Sequence, residues 1–208
     1  MKKSQKAYLV LKRFISICGA FVGILFCLGL FWWWVFIINL IQTKGHPFFA
    51  HERVGKDGKP FKMIKFRSMY LNVDPNSTSE FADHSNMVTP FGKFLRATSL
   101  DETPQLFNIL VGSMAFIGPR PVIYHHEDKL TIEIRKQNGA IHLRPGLSGY
   151  AQVHGRVNVS PEEKGNMDGY YYEHISLWLD IKLFCQTIAC VFARHGTEKE
   201  KEGTKNEK

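Results

Sequence analysis

Two adjacent carboxylates, Asp101 and Glu102, are the residues of this sequence with the clearest chemical potential. One carboxylate of such a pair could attack an electrophile while the other holds a divalent cation that neutralises it. Backbone amides of a helix start beside them would attract phosphate oxygens. A structural interpretation is also open, because Ser99 and Glu102 have capping-box spacing and Pro104 suits a first helical position. Adjacent helical residues do not share a face, so the spacing alone does not choose between the two.

Arginines held by proline or glycine form a second set of candidate site residues. They are Arg120 in the segment GPRP, Arg144 in RPG and Arg156 in HGR. A residue before proline is biased to extended backbone, so Arg120 and Arg144 project from stiff loops that suit bidentate binding of phosphate. Each arginine alone could be an incidental charge on a solvated turn. Three of them in one short domain favour an anionic substrate.

A hairpin predicted within residues 51–69 supplies two further cationic candidates. Asp57 and Gly58 lie between two segments with β-character, a pattern typical of a hairpin turn. In the second arm, Lys65 and Arg67 fall on the same side of the alternation of side chains. One face of that strand is therefore predicted to be basic.

Residues 125–128, with the sequence HHED, contain the side chains of a metal site. Adjacent histidines point in different directions on a helix, and neither an HExxH pattern nor a cysteine partner follows. We therefore predict no zinc site in this segment.

The excess of positive charge, 27 lysines and arginines against 19 aspartates and glutamates, would suit a nucleic-acid-binding protein. However, many of the basic residues crowd against a long uncharged segment, where attraction to anionic lipid explains them equally well. The sequence contains no helix-turn-helix, zinc-finger or RNP pattern. Nucleic acid is therefore not a predicted partner.

That uncharged segment runs from residue 14 to residue 41 as FISICGAFVGILFCLGLFWWWVFIINLI, 28 residues in all. As a helix it would be about 42 Å long, against roughly 30 Å for a hydrocarbon core. A soluble domain of this size rarely buries so long an uncharged helix, and a signal peptide has an apolar region about half as long. The segment is predicted to insert into a membrane.

Positive charges flank the apolar segment on both sides. Lys12 and Arg13 precede it, and Lys44 and Arg53 follow it. Under the positive-inside rule both flanks are cytoplasmic, which a single pass cannot achieve but a re-entrant helix can. The segment has no proline, and its weak helix breakers are Gly19, Gly23, Gly29 and Ser16. From the charges alone, both a re-entrant helix and a full span stay open.

The rest of the chain divides into a few predicted elements. A polar loop is predicted over residues 70–88, and a helix over about 125–138. The last helix, over about 175–194, is mostly apolar with a few polar interruptions, which suits it to lying at a membrane interface.

Five blocks of the sequence together resemble the bacterial sugar transferases, monotopic phosphoglycosyl transferases that begin the assembly of capsule, exopolysaccharide, O-antigen or glycoprotein glycans. In chain order the blocks are HERVGKDGKPFKMIKFRSM, TPFGKFLRATSLDETPQLFNILVGSM, IGPRP, LRPGLSGYAQVHGR and YYYEHISLWLDIKLF. The resemblance covers roughly residues 9–195, and the chain is similar to the small form of the family.

The resemblance implies transfer of a sugar 1-phosphate from a UDP-sugar to polyprenyl (undecaprenyl) phosphate, giving polyprenyl-diphospho-sugar and UMP, with Mg²⁺. Asp101 matches the family's nucleophile, which forms a phosphosugar–enzyme intermediate and lies beside the metal. Glu102 matches the residue that helps to bind magnesium, and Arg156 matches an arginine that contacts phosphate. Weaker assignments to substrate phosphates fall on Lys65, Arg67, Arg120 and Arg144.

The implied fold is a helix-rich, mixed α/β monotopic membrane protein. It has an N-terminal re-entrant membrane helix (residues 1–43) and a compact catalytic part with a β-hairpin and interfacial amphipathic helices (44–195). A disordered, charged tail follows (196–208). The catalytic part would face the cytoplasm at the bacterial inner membrane, with membrane lipids and downstream glycosyltransferases as further partners.

The chain departs from the family pattern at several positions. The Ser-Pro that is usual at the bend of the re-entrant helix is absent, and Ser16 follows the pair Lys12-Arg13 where the family frequently has an Asp. In the catalytic part, His154 stands where Asn is usual and Ser113 where Asp is usual. The alternative from another functional class is a membrane-anchored, polybasic scaffold without catalysis. Such a scaffold would bind lipid vesicles but would release no UMP from any UDP-sugar.

Overall fold

The structure is a computed structural model that describes residues 1–43, 45–71, 87–123, 129–155 and 159–203. Most of the predicted polar loop, the HHED segment and Arg156 lie outside these ranges. The α-helices are α1 (Lys3–Cys27), α2 (Trp33–Thr43), α3 (Pro90–Ala97), α4 (Gln105–Val111), α5 (Lys129–Asn138), α6 (Tyr150–His154), α7 (Pro161–His174) and α8 (Leu177–Gly203). The strands are β1 (Phe48–Val54), β2 (Pro60–Phe66), β3 (Ala115–Ile117) and β4 (Gly146–Ser148). The predicted helix-rich, mixed α/β class is confirmed.

The N-terminal helix is continuous from α1 to α2, but its winding changes in the middle. The five residues Leu28–Trp32 between the two helices form a π-helix. Short π-helical turns are a recognised cause of helix kinks, and this one lies inside the uncharged segment that lacks proline. By length and composition, Lys3–Thr43 is the one helix of the described chain suited to crossing a membrane, with 22% of its most apolar stretch buried.

Two of the predicted helix breakers have a packing role instead. A Cβ atom on Gly19 would lie 3.0 Å from the ring of Phe116, and one on Gly23 would lie 3.2 Å from the Leu106 side chain. These glycines therefore allow α1 to lie close to α4 and β3. Gly29, in contrast, lies within the π-helix.

The main apolar core is shared between the N-terminal helix and the rest of the chain. Its buried residues come from α1, the π-helix, α2, β2, α3 and α4 and their ends: Ala20, Ile24, Cys27, Phe31, Trp32, Val35, Met63, Phe66, Leu95, Leu106, Ile109 and Met114. Polar contacts continue to both ends of the helix, from Gln5 to the Glu173 carbonyl (2.6 Å) and from Asn39 to the Pro47 carbonyl (3.1 Å). The remainder of the protein thus packs along the whole length of this helix.

The predicted hairpin is confirmed. β1 and β2 pair antiparallel, with Phe48 opposite Phe66 at the open end and Val54 opposite Pro60 beside the turn. At the turn, Asp57 has a φ of 58° and Gly58 a φ of 75°, so both lie in the left-handed region that Asp-Gly tolerates. The predicted basic face is interrupted, because Met63 on that side of β2 is buried in the core.

The C-terminal half is built around a second core and a buried ion pair. β3 and β4 pair in parallel, and α7 begins with a capping box between Ser160 and Glu163. Arg135 of α5 lies 2.6 Å from Asp168 of α7, and both side chains are almost fully buried. This pair fixes α5 against α7.

The last helix differs from its prediction at the C-terminal end. α8 continues to Gly203, into the segment predicted to be a disordered tail from residue 196. Glutamate and lysine, which dominate that segment, are good helix formers and can extend a helix that packing has already nucleated. The exposed apolar residues of α8 recur at helical spacing, as an amphipathic interfacial helix requires: Leu177, Trp178, Ile181, Phe184 and Ile188.

Candidate active site

The carboxylate pair lies on a short turn between α3 and α4. α3 ends at Ala97 with Thr98 as its C-cap, Ser99 takes a left-handed conformation (φ 56°), and a 3₁₀ turn follows over Leu100–Glu102. The Ser99 side chain makes no capping bond, so the capping-box interpretation is wrong. A left-handed residue reverses the chain direction and places Ser99 outside the geometry that a helix cap requires.

Asp101 is buried although, within the part of the chain that the structure describes, no cation pairs with it directly. The residue is 8% exposed, and burial raises the pKa of its carboxyl to about 6. The neighbouring charge of Glu102 adds to this increase in pKa, whereas the positive charges of Lys65 and Arg96 oppose it. Near neutral pH the carboxylate is therefore ionised, poorly solvated and close to its titration point, as a nucleophile or base requires.

Glu102 is paired across the site with Lys65 of β2. The Lys65 Nζ atom lies 2.6 Å from Oε1 of Glu102, and both side chains are partly exposed. The predicted cation of the hairpin thus meets the predicted carboxylate pair.

Asn108 positions the strand that carries Lys65, and sequence reasoning missed it. Its Oδ1 accepts a hydrogen bond from the Ile64 amide (3.0 Å), and its Nδ2 donates one to the Lys62 carbonyl (2.8 Å). Asn108 lies on α4 and is 4% exposed. An asparagine within the apolar helix sequence QLFNILV was the available signal, since a buried amide requires specific partners.

The apolar N-terminal segment touches the site directly. Nε1 of Trp32 donates a hydrogen bond of 2.9 Å to Oγ1 of Thr103, the residue that follows Glu102. Trp32 is the last residue of the π-helix and is 5% exposed. The carboxylate pair is therefore located beside the middle of the uncharged segment, not beside one of its ends.

Two of the other predicted phosphate-binding residues, Arg67 and Arg144, donate to backbone carbonyls outside this turn. Arg67 donates to the carbonyl of His46 (2.9 Å), and Arg144 donates to the carbonyl of Gly112 (2.8 Å), beyond the C-terminal end of α4. Arg120 is exposed after β3, and Arg156 lies outside the described residues. Of these cations, the structure brings Lys65 to the carboxylates, and the roles of the others stay predictions.

The donor set fits magnesium better than a metal held by protein ligands alone. Among the described residues, no group of three or more His, Cys, Asp and Glu side chains is close enough together to hold a metal. Mg²⁺ commonly keeps several waters and uses one or two carboxylates together with substrate phosphates. The two adjacent carboxylates Asp101 and Glu102 match that requirement.

A comparison with known protein families now decides the family. The profile described as bacterial sugar transferase matches residues 7–194. The chain belongs to the bacterial sugar transferase family. The resemblance identified from the five sequence blocks is thereby confirmed.

Relatives of this sugar transferase family member include proteins with more specific names. It is 36% identical over 201 residues to the UDP-galactose-lipid carrier transferase of Erwinia amylovora, an alignment that covers 89% of this chain and 41% of that protein. It is 37% identical over 160 residues to the UDP-glucose:undecaprenyl-phosphate glucose-1-phosphate transferase of Xanthomonas campestris, covering 74% and 33% of the two chains. These alignments leave more than half of each of the two relatives unmatched.

A relative of similar length is the Bacillus subtilis protein named uncharacterized sugar transferase EpsL. The two are 34% identical over 192 residues, which cover 91% of each chain. The family match over residues 7–194 includes the turn with Asp101 and Glu102 and the hairpin with Lys65.

Proposed function

We propose that this protein transfers a sugar 1-phosphate from a UDP-sugar to polyprenyl phosphate, the initiating step of a surface polysaccharide or glycan. The buried, nearly unpartnered Asp101 beside the Glu102–Lys65 pair carries the proposal. The names of the relatives support undecaprenyl phosphate as the acceptor and a UDP-sugar as the donor. The chain belongs to a family of transferases, and this membership favours catalysis over the scaffold alternative.

In the first step, a carboxylate oxygen of Asp101 attacks the β-phosphorus of the UDP-sugar. The bond between that phosphorus and the bridging oxygen breaks, UMP leaves with the bonding electrons, and the sugar phosphate stays on Asp101 as an acyl phosphate. In the second step, a phosphate oxygen of the polyprenyl phosphate attacks the same phosphorus. Polyprenyl-diphospho-sugar forms, and the Asp101 carboxylate is restored.

Both steps bring anions together, so positive charge is needed at the reacting phosphorus. Lys65 supplies one such charge beside Glu102. Asp101 and Glu102 would hold Mg²⁺, which when bound neutralises phosphate oxygens and favours departure of UMP. Burial of Asp101 removes water that would otherwise solvate the nucleophile and hydrolyse the acyl phosphate.

We further propose that the N-terminal helix is re-entrant and that the catalytic part rests on the cytoplasmic face of the bacterial inner membrane. In a straight span, the contact of Trp32 with Thr103 would place the charged site near the centre of the bilayer. Burying these charges at the bilayer centre would cost about 3 kcal/mol or more for each charge. A kink at the π-helix would return both ends to one surface and keep the site at the interface.

The decisive experiment follows UMP release and covalent labelling of the full-length protein in membranes. With a panel of UDP-sugars labelled at the β-phosphate, we expect the protein to become labelled when polyprenyl phosphate is withheld. Asp101→Asn should abolish the label and reduce UMP release on the order of 10⁴-fold, because it removes the nucleophile. Glu102→Gln should mainly raise the Mg²⁺ concentration that the reaction requires.

Glu133→Gln is the matched control, since Glu133 is an exposed carboxylate on α5. This variant should behave like the wild-type protein in both assays. Full UMP production by Asp101→Asn would disprove the nucleophile assignment. Binding to vesicles without UMP release from any UDP-sugar would favour the scaffold alternative.

A further inference from the structure

A second basic site lies in a cavity of about 320 Å³ between the start of α1, the hairpin turn and the segment before β4. None of its lining residues belongs to the turn with Asp101 and Glu102. Among the residues that the structure describes, the lining includes four lysine or arginine side chains and one histidine, and no carboxylate: Lys12, Arg13, Lys56, Arg144 and His142. The balance of charge in the cavity is therefore strongly positive.

One of these charges is already neutralised inside the protein. Lys12 lies 2.7 Å from Asp180 and also donates a hydrogen bond to the hydroxyl of Tyr171. His142 is likewise paired with a carboxylate, that of Asp57 at 2.8 Å. Of the three other cations, Lys56 lies 3.9 Å from Asp57 in an exposed and therefore weak ion pair, and the two arginines supply most of the unneutralised charge of the cavity.

Two of those cations are arginines that contact neutral acceptors. Arg13 donates to the carbonyls of Ile109 (2.5 Å) and Leu110 (2.9 Å), and Nε of Arg144 donates to that of Gly112 (2.8 Å). Carbonyls at a helix C-terminus carry only partial negative charge, so they orient the guanidinium groups without cancelling their charge. α4 is about 10 Å long, and these contacts lie at the end opposite to the Asp101 turn.

The two guanidinium groups are forced close together. A Cβ atom on Gly112 would lie 2.9 Å from Nη2 of Arg13, while Arg144 binds the carbonyl of the same glycine. Their positive charges repel each other. Lys56, which is exposed on the hairpin turn 3.9 Å from Asp57, adds a third positive charge to the lining. An anion bound among the three would relieve this repulsion.

The apolar part of the cavity indicates what kind of anion it takes. Val10 lines the cavity and is 73% exposed, so an apolar surface adjoins the cations. The uncharged membrane segment begins at Phe14, one residue after Arg13. If that segment inserts as proposed, the cavity lies at the level of the lipid head groups, where basic pockets bind anionic lipids.

We propose that this cavity binds the phosphate group of an anionic membrane lipid, with Arg13, Arg144 and Lys56 as its donors. Guanidinium groups pair with phosphate oxygens through two parallel hydrogen bonds, and the apolar wall formed by Val10 and its neighbours would accommodate the first part of an acyl chain. The proposal rests on the membrane insertion proposed above but not on sugar-phosphate transfer. It also gives Arg144 a role separate from the Asp101 site.

The test uses the full-length protein in neutral detergent, with thermal unfolding followed by tryptophan fluorescence. The probes are dihexanoyl phosphatidic acid, dihexanoyl phosphatidylcholine and inorganic phosphate. We expect phosphatidic acid to raise the Tm in a saturable manner, and the other two to have little effect. An equal effect of phosphatidylcholine would overturn a site for anionic phosphate, and an equal effect of inorganic phosphate would overturn a lipid as its occupant.

Lys56→Glu and Lys59→Glu make a matched pair on the same turn, because both lysines are exposed but only Lys56 lines the cavity. Lys56→Glu should weaken the apparent affinity for phosphatidic acid about fivefold or more, and Lys59→Glu should leave it nearly unchanged. Arg144→Gln should weaken it about tenfold or more if the variant folds. Equal losses in the two lysine variants would disprove the site, since they would reflect overall charge.

The UMP assay on the same preparations separates the two proposals. Saturable binding of phosphatidic acid without UMP release would leave the lipid site intact and contradict the proposed transferase activity. UMP release with no difference in binding between phosphatidic acid and phosphatidylcholine would support the transferase activity and contradict the lipid site.

Discussion

Two aspartates of this protein are equally buried and differ in almost every other respect. Asp101 and Asp180 are each 8% exposed. Asp180 accepts hydrogen bonds from Tyr8 (2.6 Å) and Tyr171 and lies 2.7 Å from the ammonium group of Lys12. Within the described residues, no other side chain donates a hydrogen bond to Asp101; a backbone amide does so, and Lys65, Glu102 and Arg96 act on it through charge.

This difference distinguishes a structural carboxylate from a reactive one. The charge of Asp180 is shared among donors from α1 and α7, so it fixes the start of the membrane segment to the C-terminal helices. Asp101 keeps its lone pairs for an incoming group, at the cost of a poorly solvated charge. Burial alone therefore does not identify an active-site residue; burial without side-chain donors is the more informative observation.

The largest expected effect is on stability at the structural carboxylate. Asp180→Asn leaves the ammonium group of Lys12, which is 11% exposed, without its partner charge. We expect a loss of about 3 to 5 kcal/mol in the free energy of unfolding, measured by denaturant unfolding of the detergent-solubilised protein. Asp57→Asn on the hairpin turn is the control and should cost less than about 1 kcal/mol, because Asp57 is exposed. Similar losses in the two variants would contradict the structural role of Asp180.

At the reactive carboxylate, Asp101, we expect substitution to increase the free energy of unfolding. The increase in the pKa of Asp101 from 3.8 to about 6 corresponds to about 3 kcal/mol of unfavourable free energy for the ionised form in the folded state. Asp101→Asn should therefore stabilise the protein by up to about 3 kcal/mol at pH 7 and above.

The pH dependence of this gain checks its cause. Because the folded-state pKa of Asp101 is raised, the folded wild-type protein binds more protons than the unfolded chain between about pH 4 and pH 6. Wild-type stability is thus lost as the pH rises through this window, and the advantage of Asp101→Asn should vanish below about pH 4. An advantage that is constant from pH 4 to pH 8 would mean that the asparagine gain is not electrostatic.

The smallest effect concerns the pH profile of the reaction. If ionised Asp101 is the nucleophile, kcat/KM for the UDP-sugar should fall about tenfold between pH 7 and pH 5, following its pKa of about 6. Lys65→Gln should move this acidic limb to higher pH by about one unit, since the Lys65 charge lowers the pKa of Asp101. Glu102→Gln should move it to lower pH. Lys62 is an exposed residue on β2, so Lys62→Gln should leave the acidic limb in place. A shift of the limb in the same direction in all three variants would contradict its assignment to Asp101.

Local patterns predicted several elements well. The Asp57-Gly58 turn with its flanking strands was predicted because turn chemistry and side-chain alternation act between close neighbours. The uncharged segment was evident for the same reason, since its composition alone excludes most alternatives. Ser99 and Glu102 show the limit of such reasoning. Their spacing fits a capping box, but Glu102 instead pairs with Lys65, 37 positions away in the chain.

By itself, the sequence determined the family, the carboxylate pair, the hairpin and the long apolar helix, because each depends on residues that are near one another in the chain. Only the tertiary structure decided that Asp101 has no side-chain donor among the described residues while Asp180, 172 positions from Tyr8, has three. It likewise separated Arg144 from the carboxylates and placed it beside Arg13. Desolvation and charge pairing depend on which distant segments pack together, and no local pattern contains that information.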